Sequence, residues 1–404
     1  MAGSSQTTQI LHCDASSITF GSSDEPEISS QATLYALWQA AEQLKRLQTV
    51  AFPTETVYGL GALALDSTAA SRIFSTKGRP PDNPLIVHVS SIPMLHKLLP
   101  RGYTISKTND MLMRHFWPGP LTLLFPADSA LIPSIITANQ ATVAIRMPSH
   151  PVARALIALT DAPIAAPSAN SSGRPSPTRA EHVFKDLGGK VGLILDGGPC
   201  GVGLESTVVE ALNEDGNIRI LRPGGVTVED IEGVIQQEMG SAEHKPKVFV
   251  YRRDYRDEAL EQAPTTPGMK YRHYSPAVPV ILLRTSPAQN ESQPVSIPSF
   301  LASVKQKVKL NRPIKIGLLA PSDSPLLSRL TAPTDEIVWH TYLLGPISVP
   351  AISAQRLFDG LLTLDNAGVD LILVEGIEEE REGLAVMNRV NKAASEIVWI
   401  DQTA

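Results

Sequence analysis

The sequence has only two cysteines, Cys13 and Cys200, in 404 residues. Two cysteines cannot form a disulfide framework or a cysteine-based zinc site, and such low content is typical of a reducing compartment. The histidines show no H-E-x-x-H or comparable spacing, so no transition-metal site is implied. No apolar run approaches the roughly 20 residues that a helix needs to cross a bilayer. We therefore expect neither thiol chemistry nor membrane insertion.

Basic residues are missing from the start of the chain. The first Lys or Arg is Lys45, whereas Asp14, Asp24, Glu25 and Glu27 precede it. Signal peptides begin with a cationic region and transit peptides are rich in arginine, so we expect a cytoplasmic protein. A formal net charge of −6 argues against a protein whose main role is to hold a nucleic-acid backbone. Small anionic ligands are the better expectation.

The composition, 43% hydrophobic and 19% charged, is that of a globular protein long enough for two domains. Residues 1–29 are predicted to be a disordered, acidic extension with one short strand at Gln9–His12. Short apolar strands alternate with helices over residues 30–240, which predicts one α/β domain. Residues 241–278 combine mixed charges with a rigid Pro-Gly run and are predicted to be a linker. A plainer alternation over residues 279–404 predicts a small doubly wound parallel sheet.

The segment KGRPPDNPLIVH, residues 77–88, joins two cations to three prolines and a short apolar run. Each proline fixes φ near −65° and biases the preceding residue towards an extended conformation, so Arg79 and Asn83 are held with little rotational freedom. LIVHV is predicted to be a buried strand that carries His88 inward. Such a preset turn suits a polyphosphate site. Taken alone, the segment fits a stiff surface loop before a core strand equally well.

Two further cations, Arg146 and Arg222, lie beside Pro or Gly turns at the ends of predicted strands. Together with Lys77 and Arg79 they form a set of four. A surface salt bridge is the ordinary role of any one of them, but all four together favour a polyanion site. The reason is that α/β proteins bind ligands where strands end, and that Arg bonds phosphate oxygens in a bidentate manner. The glycine-rich run at 197–206 can add backbone N–H groups to such a site.

Hydroxyl and amide side chains form a second group, and each member lies in a Gly/Pro turn. They are Thr54, Thr56, Ser168, Asn170, Ser176, Ser206 and Thr207. Most turn residues of this kind bond only their own backbone. No G-x-x-x-x-G-K-[ST] motif is present, which excludes a P-loop. Gly59, Gly61 and Ala64 match G-x-G-x-x-A, but the polar PTETVY before them is unlike a parallel strand, so the match is weak.

A series of segments in order closely resembles the YrdC-like family in its long, two-domain form. These are PTETVYGLG, KGRPPDNPLIVH, FWPGPLTLLF, VAIRMPSH, APSANSSGRPSPT, GGPCGVGLESTVV, LRPGG, PGMKYRHYSP and GLAVMNRVNKAAS. The resemblance implies a twisted mixed-sheet α/β domain with a concave basic active-site face, a linker over that site, and a smaller Rossmann-like α/β domain. It also implies condensation of L-threonine, bicarbonate and ATP to threonylcarbamoyl-AMP and pyrophosphate, for N6-threonylcarbamoyladenosine at position 37 of ANN-decoding tRNAs.

The resemblance implies roles for individual residues as well. ATP contacts are expected from Lys77, Arg79, Asn83, Thr142, Ser168, Ser176, Arg222 and Tyr274, with Lys77 and Arg79 as the catalytic cations. Threonine contacts are expected from Thr56, His88, Arg146 and Ser206. Lys270, Arg272 and Tyr274 would belong to the linker over the site. Mg²⁺ is expected to arrive with ATP, and no protein-held metal or covalent enzyme intermediate is required.

The implied partners are the three small substrates and a downstream tRNA threonylcarbamoyl transferase complex, with weak tRNA binding as a further expectation and no membrane. One alternative is an RNA-binding module of the same family without its own catalysis, which the acidic balance disfavours. Another is carbamoyl transfer from carbamoyl phosphate. Proteins with that activity normally contain acylphosphatase and zinc-finger segments. The presence of only two cysteines argues against this alternative.

Overall fold

The computed structural model describes residues 7–21, 24–240, 244–262, 273–285, 294–308 and 312–401. The chain divides into two compact units: residues 1–172 with 176–271, and residues 173–175 with 272–404. No helix in the described ranges is both long and apolar enough to cross a membrane.

The first unit contains an eleven-stranded sheet with helices around it. Its strands, together with the separate hairpin β2–β3, are β1 Gln9–His12, β2 Ile18–Phe20, β3 Pro26–Ile28, β4 Val50–Phe52, β5 Gly59–Leu63, β6 Ile86–His88, β7 Leu121–Pro126, β8 Thr142–Arg146, β9 Ile164–Ala165, β10 Leu193–Asp196, β11 Thr207–Glu210, β12 Ile218–Arg222 and β13 Val248–Val250. Its helices are α1 Gln31–Lys45, α2 Ser67–Lys77, α3 Ile92–His96, α4 Lys107–Phe116, α5 Ser134–Thr137, α6 Pro151–Thr160, α7 Ala180–Leu187, α8 Val228–Met239 and α9 Glu258–Gln262.

The large sheet is mixed, with the strand order β1-β10-β4-β5-β9-β6-β8-β7-β11-β12-β13. Strand β8 runs parallel to β6 and antiparallel to β7, and β7 runs parallel to β11. Strand β12 is antiparallel to β11 and parallel to β13. The predicted mixed α/β architecture is therefore confirmed.

Helix α2 shows how local sequence positions a functional side chain. It begins after Asp66, whose carboxylate accepts the Ala69 N–H at 2.8 Å, the usual N-cap bond. It ends at Gly78, which adopts a left-handed conformation with φ +61°. Glycine takes this conformation without a Cβ clash, so the helix stops there and Lys77 is its last residue. Ile73, one turn earlier, packs in the core.

The amino-terminal segment is ordered where the structure describes it, so the prediction of a disordered extension is wrong for residues 7–21 and 24–29. The predicted strand at Gln9–His12 is confirmed as β1, which pairs in parallel with β10 at one edge of the sheet. Strands β2 and β3 form an antiparallel pair. Arg154 of α6 binds Asp24 at 2.6 Å and stacks over the Phe20 ring. These partners are distant in sequence, so local composition did not reveal the order.

Part of the predicted linker belongs to the first unit. Strand β13 extends the sheet by pairing in parallel with β12. Tyr251 then joins a buried apolar cluster with Ile86, Leu124 and Val208, against which Tyr255 packs. The linker prediction is therefore wrong for residues 248–260, because their apolar side chains are needed to cover the sheet.

The second unit is built on a five-stranded, fully parallel sheet. Its strands are β14 Val280–Arg284, β15 Ile314–Ala320, β16 Ile337–Leu343, β17 Leu371–Glu375 and β18 Glu396–Trp399, in the order β16-β15-β17-β14-β18. Its helices are α10 Ile297–Val308, α11 Pro325–Leu330, α12 Pro350–Asn366 and α13 Glu382–Ala393. The three inner strands β14, β15 and β17 are rich in Ile, Leu and Val and mostly buried, as expected where a sheet is covered on both faces, whereas the edge strands β16 and β18 are partly exposed. The predicted small parallel sheet is confirmed.

A buried acid lies at the end of the central strand β17. Glu375 accepts a hydrogen bond from the Ser324 hydroxyl at 2.6 Å, and its second carboxylate oxygen is buried without a partner among the described residues. Burial raises the pKa of Glu375 from 4.5 to about 7. The folded protein therefore binds more protons than the unfolded chain between these pH values, and stability falls as pH rises through this window.

Glu375→Gln should remove this penalty. A pKa rise of this size corresponds to about 3 kcal/mol, so the variant should be more stable than the wild type by that order at pH 8 and nearly equal at pH 5. Urea unfolding of the whole chain, followed by tryptophan fluorescence at both pH values, measures the difference. The exposed Glu378→Gln is the matched control. Parallel pH profiles for wild type and Glu375→Gln would contradict the charged-state penalty.

Candidate active site

Polar residues of neighbouring strands form one row across the large sheet. His88 of β6 pairs with Arg146 of β8, which pairs with Thr122 of β7. Thr122 pairs with Val208 of β11, and Val208 pairs with Arg222 of β12. Directly paired residues of a sheet point to the same face. Residues predicted from separate segments are thus brought together at one end of their strands.

Arg146 is the most constrained member of the row and is only 3% exposed. Its Nε donates to the Gly119 carbonyl at 3.1 Å and its Nη1 to the Thr56 hydroxyl at 2.9 Å. Its Nη2 forms an ion pair with the Glu55 carboxylate. A buried guanidinium is tolerated only when it is paired and hydrogen-bonded. These three bonds hold Arg146 in one orientation.

The turn that carries Glu55 and Thr56 is fixed by local and non-local hydrogen bonds. The Thr54 hydroxyl accepts the Thr56 N–H at 3.2 Å and lies 2.7 Å from the Thr56 hydroxyl. Thr54 thus fills the ordinary role of a turn threonine. The carbonyls of Glu55 and Thr56 accept the N–H groups of Val202 and Gly203 at 2.7 and 3.0 Å. The glycine-rich loop therefore lies against this turn.

His88 is buried, as its predicted strand position implied. Its Nδ1 lies 3.2 Å from the Ile86 carbonyl. Burial, reinforced by the positive charge of Arg146, lowers the pKa of His88 to about 3. The imidazole is therefore neutral at physiological pH and can offer a hydrogen bond without a charge.

Ser206 precedes β11 and links the row at its other end. Its hydroxyl lies 2.7 Å from that of Thr122. Arg222 donates from Nη2 to the Ser206 carbonyl at 2.9 Å and to its hydroxyl at 3.2 Å. Both Ser206 and Arg222 are buried. A second guanidinium is thus held beside a serine hydroxyl.

Lys77 brings an ammonium group into the interior of the first unit. Its Nζ donates to the carbonyls of Ser168 and Asn170, and it is 4% exposed. Burial lowers the pKa of Lys77 well below its ordinary value, and the charge of Arg79 lowers it further. The negative charge of an anionic ligand would oppose both effects and raise the pKa of Lys77.

Two carboxylates lie close enough to act on Lys77. Glu205 and Asp186 both raise the pKa of Lys77, in opposition to its burial. Glu205 accepts the Ser176 hydroxyl at 2.6 Å, and Asp186 binds the backbone N–H and hydroxyl of Ser171 at 2.7 and 2.8 Å. Ser176 is thus oriented by a buried acid.

An open pocket of about 490 Å³ lies at the end of α2. Its lining comprises Ser75, Thr76, Lys77, Gly78 and Lys190. This volume is within the range of small-molecule sites. The described residues contain no group of three or more His, Cys, Asp or Glu side chains placed to hold a metal ion.

The proline turn lies at the opposite end of β6 from His88. Arg79 donates to the carbonyls of Asn83 and Pro84 at 3.1 and 2.7 Å, so its guanidinium folds over the turn. Asn83 is buried, and its side-chain nitrogen has no partner among the described residues. Thr142 begins β8 and adjoins the same end because β6 and β8 are parallel, with Ile86 opposite Ala144.

The predicted site residues thus occupy two places in the first unit. The row lies at one end of its strands together with Thr56, which binds Arg146, while Arg79, Asn83 and Thr142 lie at the beginning of β6 and β8. Lys77 lies near Arg79, because β9 is antiparallel to β6 and Ser168, whose carbonyl accepts the Lys77 Nζ, follows β9. Arg146 lies four residue steps after Thr142 along β8, about 13 Å at the usual rise per residue.

Three predicted residues belong to the segment that the resemblance implies to be a linker. Lys270 and Arg272 lie outside the described residues. Tyr274 is buried in the second unit with φ +67°, where its ring lies 5.2 Å from that of Phe358 and 5.7 Å from the Arg389 guanidinium carbon. Its role as an ATP contact stays a prediction.

The weak G-x-G-x-x-A match has a packing explanation. Gly59 and Gly61 lie in β5, which is antiparallel to β4 and so cannot start a nucleotide-binding βαβ unit. A Cβ at Gly61 would lie 2.6 Å from the Phe52 ring and 2.8 Å from Ile164. Glycine is required there for close packing.

Sequence reasoning missed residues that the geometry adds. They are Glu55, Gly119, Thr122, Asp186 and Glu205. Glu55 and Glu205 stand inside PTETVYG and GLESTV, where an acid beside strand residues that become buried is a usable signal. Thr122 is the lone hydroxyl residue in the apolar strand LTLLF, and this is a weaker signal.

Comparison with known proteins decides the family. The family model described as telomere recombination, Sua5/YciO/YrdC, matches residues 42–224, and the model described as threonylcarbamoyl-AMP synthase, C-terminal domain, matches residues 226–395. A threonylcarbamoyl-AMP synthase of Schizosaccharomyces pombe is 43% identical over 398 residues, covering 91% of this chain and 90% of the relative. The chain belongs to the threonylcarbamoyl-AMP synthase family.

Other members of the threonylcarbamoyl-AMP synthase family agree over nearly the whole chain. The synthase of Pyrococcus abyssi is 43% identical over 355 residues, covering 88% of this chain and 93% of the relative. The crystal structure of P. abyssi Sua5 complexed with L-threonine matches with a TM-score of 0.73 and 36% identity, covering 97% of this chain and all of that one. The family and the two-domain form predicted from the sequence are confirmed.

Proposed function

We propose that the chain is an L-threonylcarbamoyladenylate synthase, a nucleotidyltransferase that condenses L-threonine, bicarbonate and MgATP. The observation that carries the proposal is the row of His88, Thr122, Arg146 and Arg222, which combines a fixed carboxylate receptor with a second guanidinium. Relatives covering most of the chain bear this activity in their names, and one is solved with L-threonine bound.

L-threonine would bind at the Arg146 end of the row. Arg146 is oriented by three bonds and can receive the α-carboxylate, which a guanidinium matches in shape and charge. The hydroxyls of Thr56 and Ser206 and the neutral ring of His88 would bind the threonine hydroxyl and nitrogen. A neutral ring adds no second positive charge to the carboxylate site.

MgATP would bind along the cations and the proline turn. Lys77 and Arg222 would bind phosphates from within the first unit, and Arg79 would turn from its carbonyl partners towards them. Asn83 and Thr142 carry buried polar atoms without partners among the described residues, and a nucleotide would supply those partners. Ser168 and Ser176 complete the site, and Mg²⁺ enters as part of the substrate rather than in a protein cage.

The chemistry requires positioning and charge compensation rather than a protein nucleophile. The threonine nitrogen attacks the bicarbonate carbon, and water leaves to give a carbamate. A carbamate oxygen then attacks the α-phosphorus, and the bond to pyrophosphate breaks. Negative charge grows on the phosphate oxygens in that step, and Lys77, Arg79 and Arg222 would stabilise it.

The unstable mixed anhydride must pass to a tRNA-modifying enzyme. We therefore propose a downstream threonylcarbamoyl transferase complex as partner, with weak tRNA binding and a cytoplasmic location. Cys13 and Cys200 are buried free thiols, which suits a reducing compartment.

Pyrophosphate release should require L-threonine, bicarbonate and MgATP together. The assay incubates the full chain with all three and follows pyrophosphate enzymatically, with each substrate omitted in turn and with L-serine or L-valine replacing L-threonine. Release that does not depend on L-threonine would contradict the proposal. Salt-sensitive tRNA binding without any pyrophosphate release would instead favour the RNA-binding alternative.

A further inference from the structure

Glu55 has one carboxylate oxygen bound and the other unsatisfied. Its Oε1 pairs with Arg146 Nη2, whereas Oε2 is buried and has no hydrogen-bond partner in the described ranges. The side chain is 13% exposed, so some of it still faces open space. A buried carboxylate oxygen without a donor costs free energy that a ligand N–H could recover.

The other groups around Glu55 do not supply that donor. His150 and Cys200 are close enough to feel its charge, but neither forms a hydrogen bond to Oε2. Burial lowers the pKa of His150 and raises that of Cys200, so both are neutral at physiological pH and offer Glu55 no counter-charge. His150 Nδ1 accepts the Val152 N–H at the start of α6. The positive charge paired with Glu55 is that of Arg146, so the ion pair as a whole carries no net charge.

A neutral pair is a poor receptor for an isolated carboxylate but a good one for a zwitterion. Arg146 has five N–H groups, of which Gly119, Thr56 and Glu55 take one each. Among the described contacts, two N–H groups of Arg146 therefore remain for a carboxylate, beside the buried, unsatisfied oxygen Oε2 of Glu55. An α-amino acid places its ammonium and carboxylate on one carbon, with the same spacing of opposite charges.

We propose that Glu55 is a specificity-determining residue that receives the α-ammonium of L-threonine on Oε2 while Arg146 receives the α-carboxylate. The assignment rests on the proposed function and adds the reason why a free α-amino acid is selected. A ligand with a hydroxyl in place of the ammonium would leave the Glu55 charge without a counter-charge, and an N-acylated threonine would also collide with it.

The test compares equilibrium binding of L-threonine with that of 2,3-dihydroxybutanoate, in which a hydroxyl replaces the ammonium. Calorimetry on the wild type should give at least about 30-fold tighter binding of L-threonine, the range expected for a charged hydrogen bond. Glu55→Gln retains an oxygen for Arg146 but loses the charge. It should bind L-threonine about 10- to 100-fold more weakly, and its discrimination between the two ligands should shrink to within about 3-fold.

Controls separate this role from a structural one. The affinity for ATP should stay unchanged in Glu55→Gln, and Glu238→Gln, which removes a surface carboxylate paired with Arg114, should leave all affinities unchanged. Glu55→Asp keeps the charge and should restore most of the discrimination. If Glu55→Gln does not fold, as judged by circular dichroism, the Asp variant alone decides, and loss of discrimination in a folded Asp variant overturns the assignment.

The outcomes distinguish the two proposals. If the wild type binds L-threonine and Glu55→Gln keeps its affinity and its discrimination, the assignment of Glu55 is wrong while the synthase function stands. If the wild type binds no L-threonine at all, the proposed function and the assignment both fail.

Discussion

Replacing Lys77 with methionine should lower kcat/KM for ATP about 10²- to 10³-fold, the usual cost of removing one cation that stabilises a developing anionic transition state. Lys77 is buried at the end of α2 and donates to the carbonyls of Ser168 and Asn170. These two bonds leave one ammonium N–H for a phosphate oxygen, as far as the described residues show. Methionine keeps the length of the side chain but supplies neither donor nor charge.

The lowered pKa of Lys77 also predicts how the affinity for MgATP should depend on pH. Burial holds its pKa well below the ordinary value in the free protein, and a bound polyphosphate would raise it. Binding of MgATP should therefore take up protons, and at pH values above the last phosphate ionisation of the nucleotide its affinity should fall as pH rises.

Calorimetry of MgATP binding in buffers of different ionisation enthalpy measures this proton uptake. Lys77→Met should abolish it together with most of the affinity, whereas Lys107→Met, which removes an exposed lysine at the start of α4, should change neither. Wild-type affinity and proton uptake in Lys77→Met would remove Lys77 from the phosphate site.

Arg146→Lys should raise the KM for L-threonine at least about 100-fold while leaving the affinity for MgATP within about 3-fold. Arg146 donates hydrogen bonds to Gly119, Thr56 and Glu55 at the same time. Its two remaining N–H groups can still bind a carboxylate. A lysine has one nitrogen and cannot reproduce that geometry. The loss of a bidentate charged bond accounts for a factor of this size.

The measurement is steady-state pyrophosphate release at varied L-threonine, with MgATP binding determined separately. Arg146→Lys should also lower the free energy of unfolding by about 1–3 kcal/mol, because the Gly119 carbonyl and the Glu55 carboxylate would lose donors. Arg114→Lys, at an exposed ion pair with Glu238, is the control for a generic arginine replacement. A normal threonine KM in Arg146→Lys would contradict the carboxylate assignment.

Local features of the active-site strands were predictable because they depend on neighbours in sequence. The segment at 77–88 folds as its residues imply: Gly78 ends α2, and a short buried strand places His88 inside. The resemblance carried by a series of motifs correctly predicted the family. The order of the amino-terminal segment and the role of residues 248–260 were mispredicted, because the partners of both segments lie far away in the chain.

Glu55 shows the limit of motif reading at the site itself. It stands in PTETVYG between Thr54 and Thr56, where the pattern indicates a polar turn with an acid beside buried strands but does not identify the partner of that acid. Its ion pair with Arg146 joins residues 91 positions apart, and its unsatisfied oxygen follows from that pairing. No local signal reports such a contact.

The segment lengths, turns, caps and motifs of this protein were determined by the sequence itself, since each depends on backbone preferences within a few residues. The tertiary structure alone decided that His88, Thr122, Arg146 and Arg222 form one row. Strand order and register are set by the packing of whole strands and helices, and a shift of one residue would turn each of these side chains to the other face. That register decides where the proposed substrates would meet.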